Sequence, residues 1–383
     1  MEKVVRIMMD LIASEVCGKT VDNEKYVCSD EELEKLYRLS KSHDLAHIVG
    51  NALIRNDLIA DKELLEKFRK QIFLAVYRYE AINDELGRLR GILEGAGIPF
   101  ISLKGAVIRT YYPEPWMRTS CDIDILVCRE QLDKATGLLE TELGYTDRVE
   151  NYHDVSMMSP SGVHLELHHS IKENADNLDA LLAECWSYAD SAGGCEYAFS
   201  PEFFLFHQFS HAAYHFLHGG CGVRPFLDLY LLNRKLSFDR GALEGMLEKA
   251  GIKRFSGMAF RLADVWFGDV EHDELTKQME QFVLSGGVYG TLENSVAVSQ
   301  QKQKGRIGHI LHRVWLPYEL LCVSYPRLRG RRYLQPFYEL VRWLRIFKPN
   351  TYRKKSRELE AVKNLSTEKK SEVNQMLQQL ELL

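Results

Sequence analysis

The stretch Cys121-Asp-Ile-Asp-Ile-Leu-Val127 decides how this chain is read. Successive side chains of a β-strand point to opposite faces. On such a strand Asp122 and Asp124 share one face, while Ile123 and Ile125 take the other. Neighbouring carboxylates repel, and an apolar strand is a costly place for charge. Hard divalent cations relieve that cost because they prefer oxygen ligands. The triplet alone allows two readings: solvated acids at a strand end, or a metal site.

A third acid lies downstream. Val163-His-Leu-Glu-Leu-His168 alternates, so Glu166 shares a face with His164 and His168. Beside the Asp122 strand it would complete a three-carboxylate cluster. Three acids can hold two Mg²⁺ ions about 3.5–4 Å apart, which aligns an attacking hydroxyl with a phosphate leaving group. Upstream, Leu103-Lys-Gly105 falls between a strand and a helix. Glycine there lets backbone approach a phosphate, the helix N-terminus favours an anion, and Lys104 adds a point charge. Arg118 offers a fork for phosphate oxygens. Taken singly, a Lys-Gly pair is an ordinary turn and Arg118 an ordinary surface arginine.

Around this block the pattern is helical. Residues 1–97 carry apolar residues at helical spacing, first after the acid-rich start Asp30-Glu-Glu-Leu33 and then along a long amphipathic helix from Lys62 to Leu93. Residues 98–176 read as an α/β core. Its expected strands are Pro99–Leu103, Asp122–Val127, Asp154–Met158 and Val163–His168, with helices at Gly105–Tyr111 and Glu130–Leu143. Residues 177–300 read as a helical substrate-side domain, and 301–383 as a basic helical region. The fold class is therefore α+β, a small mixed or antiparallel sheet flanked by helices.

In order, Leu103-Lys-Gly105, Tyr112-Pro113, Arg118, Asp122-Ile-Asp124 and Glu166-Leu-His168 resemble the uncharacterised nucleotidyltransferase family of the DNA polymerase β-like nucleotidyltransferase superfamily. The resemblance spans residues 100–170 and extends more loosely through His211, His215, Gly220, Gly222, Arg224 and Asp228. It implies a small nucleotidyltransferase sheet, with Asp122, Asp124 and Glu166 as metal ligands and Lys104 and Gly105 at a triphosphate. It also suggests His168, His215, Arg224 and Asp228 as acceptor or nucleotide contacts. The wider superfamily usually has Gly-Ser or Gly-Gly at the turn; here it is Gly105-Ala106, which lacks the phosphate-binding hydroxyl.

The expected activity is Mg²⁺-dependent transfer of a nucleoside monophosphate from an NTP to a hydroxyl acceptor, with two Mg²⁺ ions or Mn²⁺ in their place. Two alternatives stand beside it: a nucleotide-binding sensor or scaffold without turnover, and a metal-dependent phosphohydrolase.

Other features bound the reading. His207, His211 and His215 recur at four-residue spacing, which could bind zinc. There is no His-Glu-x-x-His pattern, and packing beside Phe206, Tyr214 and Phe216 is the preferred reading. Of the chain's 383 residues 45% are apolar and 27% charged, ordinary for a globular protein. The net charge is −5, yet residues 301–358 carry 15 basic and 3 acidic side chains, a local +12 that leaves −17 for the rest. Such asymmetry suggests an anionic partner or a membrane surface for the basic region. Its helix Phe337–Phe347 is amphipathic, as core-packed helices also are. The eight cysteines lack zinc-knuckle spacing and read as reduced thiols. With no signal-like leader and no transmembrane run, the expected location is cytoplasmic, or peripheral at a membrane.

Overall fold

The structure is a computed structural model. It describes residues 2–20, 26, 28–173, 176–291, 293–295, 298, 315, 318, 321, 325, 328, 330–344 and 367–383. Most of the basic stretch 301–358 lies outside them.

Three helices open the chain: α1 (Glu2–Val16), α2 (Asp30–Ser42) and α3 (Ala46–Arg55). Ser29 caps α2, in a capping box with Glu32. The long helix α4 (Lys62–Gly95) follows, about 50 Å at 1.5 Å per residue. Its first half buries Leu64 and Phe68 against α1–α3, where Gly50 leaves room for the Phe68 ring. Its second half buries Ile82, Leu86, Leu89 and Leu93 against the sheet. One helix thus belongs to two cores.

The sheet has seven strands in the order β3-β4-β5-β2-β1-β7-β6. They are β1 (Phe100–Ser102), β2 (Asp122–Val127), β3 (Thr146–Glu150), β4 (Asp154–Met158), β5 (His164–His168), β6 (Ala189–Gly193) and β7 (Glu196–Phe199). The sheet is mixed: β2 runs parallel to β5 and β1 parallel to β7, while the other pairs are antiparallel. Ile123, Ile125, Val127, Leu165 and Leu167 bury one face with α4 and α6 (Leu132–Glu142). Asp122 and Asp124 face the other way, towards the helices that follow.

The expectation of helix from residue 177 onward needs correction. After the short α7 (Asp176–Leu182) come β6 and β7, and β7 pairs with β1. The reason they escape sequence reading is chemical. Residues Ala189–Gly193, Ala-Asp-Ser-Ala-Gly, are almost wholly exposed and carry no apolar alternation. The same is true of edge strand β3, Thr-Asp-Arg-Val-Glu. Beyond the sheet, α8 (Pro201–Leu217), α9 (Arg224–Lys235), α10 (Arg240–Lys249), α11 (Lys253–Phe267) and α12 (Glu274–Gly286) pack with α1–α3 into the larger core. The chain breaks between α8 and α9, with Gly219 and Gly220 in left-handed conformations.

The remaining described helices are α13 (Gln335–Leu344) and α14 (Thr367–Gln379). On α13, Tyr338 and Val341 pack on a small cluster of Leu321, Tyr325 and Leu328, while Phe337 and Leu340 are exposed. No described helix is long and apolar enough to cross a membrane.

Candidate active site

The acids meet through strand register. In the parallel pairing of β2 with β5, Asp124 stands opposite Glu166 and Asp122 opposite His164. Ligand atoms of Asp122, His164 and Glu166 lie within 4.8 Å of one another, and so do those of Asp124, Glu166 and His168. Glu166 belongs to both groups. The three acids line a cavity of about 460 Å³ between the sheet and helices α8 and α9. Lys104, Gly105, Arg118, His168, His215, Arg224 and Asp228 line the same cavity. These ten candidate residues therefore come to one place.

Cations hold the central carboxylate. His168 Nε2 is 3.0 Å from Asp124 Oδ1 and 3.4 Å from Glu166 Oε2. Lys104 Nζ is 3.5 Å from the same Asp124 oxygen. Burial alone would raise Asp124, but Lys104 and His168 hold its carboxyl far below the usual range. The His168 hydrogen bond likewise lowers Glu166. Asp122 behaves in the opposite way: burial, then the charges of Asp124 and Glu166, raise it. Burial opposes the charge on His168, yet hydrogen bonds to Asp124 and Glu166 push it up to about 9. An oxygen-rich set with one acid still repelled by its neighbours suits a hard divalent cation.

The Lys-Gly turn differs in detail from its expected role. Helix α5 (Gly105–Ile108) is a single turn, continued by a 3-10 turn to Tyr111, so it brings little macrodipole. Lys104 adopts φ +37°, a strained conformation for a side-chain-bearing residue. A Cβ on Gly105 would stand 2.9 Å from Arg118 Nη1 and 3.3 Å from Ser120 Cβ. Gly105 thus makes room for Arg118. Ala106 packs against the sheet-side core and is not among the cavity-lining residues.

The arginines are held by two acids: Asp228, expected as an acceptor or nucleotide contact, and Asp44, which was not singled out. Arg118 Nη2 donates to Asp228 Oδ2 at 2.9 Å, and Tyr112 donates to Asp228 Oδ1 at 2.8 Å. Arg224 donates to Asp44 Oδ2 at 3.0 Å and to the Thr119 carbonyl at 3.0 Å. Asp44, Thr119, Glu173 and His153 are site or support residues the sequence did not disclose. Asp44 and Arg224 are 180 residues apart, beyond the reach of any local pattern. His207 is buried edge-on to Phe199 rather than beside the expected Phe206, Tyr214 and Phe216, and it lines the cavity with His211 and His215.

Carboxylates on adjacent parallel strands, with a lysine at the preceding turn, are the parts that metal-assisted phosphoryl transfer uses. A family model described as uncharacterised nucleotidyltransferase matches residues 29–268, from the cap of α2 to the end of α11. The chain belongs to that family. No curated protein and no solved structure matches it.

Proposed function

We propose that the protein transfers a nucleoside monophosphate from an NTP to a hydroxyl acceptor and releases pyrophosphate. The β2–β5 register supports this reading most directly, because it sets Glu166 beside Asp124 under the Lys104 ammonium. Asp122, Asp124 and Glu166 would hold Mg²⁺ or Mn²⁺. Bound there, such cations would acidify the attacking hydroxyl and neutralise charge developing on the phosphates. His168 keeps Asp124 and Glu166 ionised and oriented. Lys104 supplies positive charge for the triphosphate. Arg118, fixed by Asp228, adds a second cation beside the Lys104-Gly105 turn.

The test is pyrophosphate release from NTP and Mg²⁺ over a panel of hydroxyl acceptors. The Asp124→Ala chain should lose it, and full activity in that variant would overturn the proposal. Tight NTP binding by calorimetry with no pyrophosphate released over the panel would favour the sensor. Orthophosphate without an acceptor product would favour the phosphohydrolase. The position of Ala106 bears on the sensor reading. A hydroxyl there would sit against the core, so its absence takes nothing from the cavity wall. For the basic stretch 301–358 we propose docking to an anionic partner or membrane surface, on its +12 balance. Binding to anionic vesicles that persists at high salt would contradict that electrostatic origin.

A further inference from the structure

Three side chains that line the cavity form one hydrogen-bonded chain. Glu173 Oε1 is 2.9 Å from His211 Nδ1, and His211 Nε2 is 3.0 Å from His215 Nε2. The two histidines stand one turn apart on α8, with ring centroids 4.4 Å apart and planes at 84°. Glu173 comes from the segment that follows β5.

This chain fixes the tautomers. A carboxylate can only accept, so His211 carries its proton on Nδ1 and presents a lone pair at Nε2. That lone pair accepts the proton of His215 Nε2–H. His215 is left with a lone pair on Nδ1, which has no hydrogen-bond partner among the described residues. All three residues line the cavity that holds the acids. Burial, followed by neighbouring positive charge, keeps both rings neutral, with His215 pushed down to about 3. The groups that set this field are Lys104, Asp124, His168 and Arg118 around His211, and His211, Glu173, Lys104 and His218 around His215, where Glu173 acts in the opposite sense.

We infer that Glu173, His211 and His215 form a relay in which His215 Nδ1 takes the proton of the acceptor hydroxyl. The inference rests on the nucleotidyl-transfer reading and assigns the proton to His215 rather than to Glu166. The hydroxyl oxygen bonds to the α-phosphorus. The bond from that phosphorus to the bridging oxygen breaks, and its electron pair leaves with pyrophosphate. The hydroxyl proton moves to His215 Nδ1. The imidazolium keeps its Nε2–H on His211, and the Glu173 carboxylate behind His211 balances its charge. An arriving triphosphate is anionic, so it raises the proton affinity of His215 when the base is needed. His215 is the catalytic residue; His211 and Glu173 are positioning residues.

Two measurements on the full chain test this. Nitrogen-15 NMR of the histidine rings at neutral pH should show His211 protonated at Nδ1 and His215 at Nε2, with the pattern lost in Glu173→Leu. The reverse tautomer of His215 would overturn the relay. The second is pyrophosphate release from Mg²⁺ and ATP with water, glycerol, glucose and a tyrosine peptide as acceptors. His215→Ala should lower kcat about 100-fold with little change in KM for ATP, and added imidazole should restore part of it. Glu173→Gln should displace the pH–rate profile. Full kcat in His215→Ala, or a loss that imidazole does not restore, removes the base role. If Asp124→Ala is inactive while His215→Ala is not, nucleotidyl transfer stands and the relay falls. If the wild-type chain releases pyrophosphate with none of the four, both fall.

Discussion

At the scale of single residues, the acids were readable because a strand repeats every second position, and Asp122, Asp124 and Glu166 obey that period. The pairing of Arg118 with Asp228 and the presence of Asp44 beside Arg224 were not, since both arise only through tertiary packing. Lys104 and Gly105 also gained a different meaning. At φ +37°, Lys104 occupies backbone space that glycine enters freely. Lys104→Gly and Lys104→Ala both remove the ammonium beside Asp124, but only glycine relieves the backbone. Urea unfolding should therefore find the glycine variant more stable than the alanine variant by about 1 kcal/mol. Equal stability would mean that the turn carries no strain. Gly105→Ala should displace the Arg118 guanidinium and weaken NTP binding by calorimetry about tenfold, the effect of losing about 1.4 kcal/mol of charge-assisted contact.

Among elements, amphipathic helices and buried strands were legible from periodicity, and exposed strands were not. β3 and β6 are held by backbone pairing at the two sheet edges, so their side chains need no pattern. The joint between the sheet module and α9 is the Arg118–Asp228 pair, with side chains only 10% and 7% exposed. Asp228→Ala leaves a buried guanidinium without its counter-charge. It should cost about 3–5 kcal/mol in denaturant unfolding, whereas Asp228→Ala combined with Arg118→Met should recover much of that loss. A double variant no more stable than the single one would show that the pair is not the joint.

For the whole molecule, acid sensitivity follows from its buried histidines. Burial pushes His43 down to about 4 and His207 to about 3, and it also lowers His47. In the unfolded chain all three titrate near 6.5. The folded state then binds fewer protons, so their contribution is complete above pH 6.5 and is lost as pH falls towards 4 and 3. His168 has the opposite sign: its contribution is complete below pH 6.5 and is lost as pH rises through about 9. The urea midpoint should fall steeply between pH 6.5 and 4, and His43→Gln should flatten that limb. A midpoint indifferent to pH in this window would refute the account.

The pairing of β1 with β7 has a consequence for dissecting the chain. Phe100 and Ile101 are fully covered in the intact sheet, and their neighbour on one side is donated from residues 196–197. A fragment ending at residue 176 would expose a short apolar edge with unsatisfied backbone donors and acceptors, a template for sticking to another copy. Size-exclusion chromatography should find a 1–176 fragment aggregated. One that continues through α12, so that the larger core is complete as well, should elute at a smaller size; the strand that seals the edge leads directly into the helix bearing His211 and His215. Solubility and the proton-handling wall are thus inherited together, and neither can be trimmed away to study the acids alone.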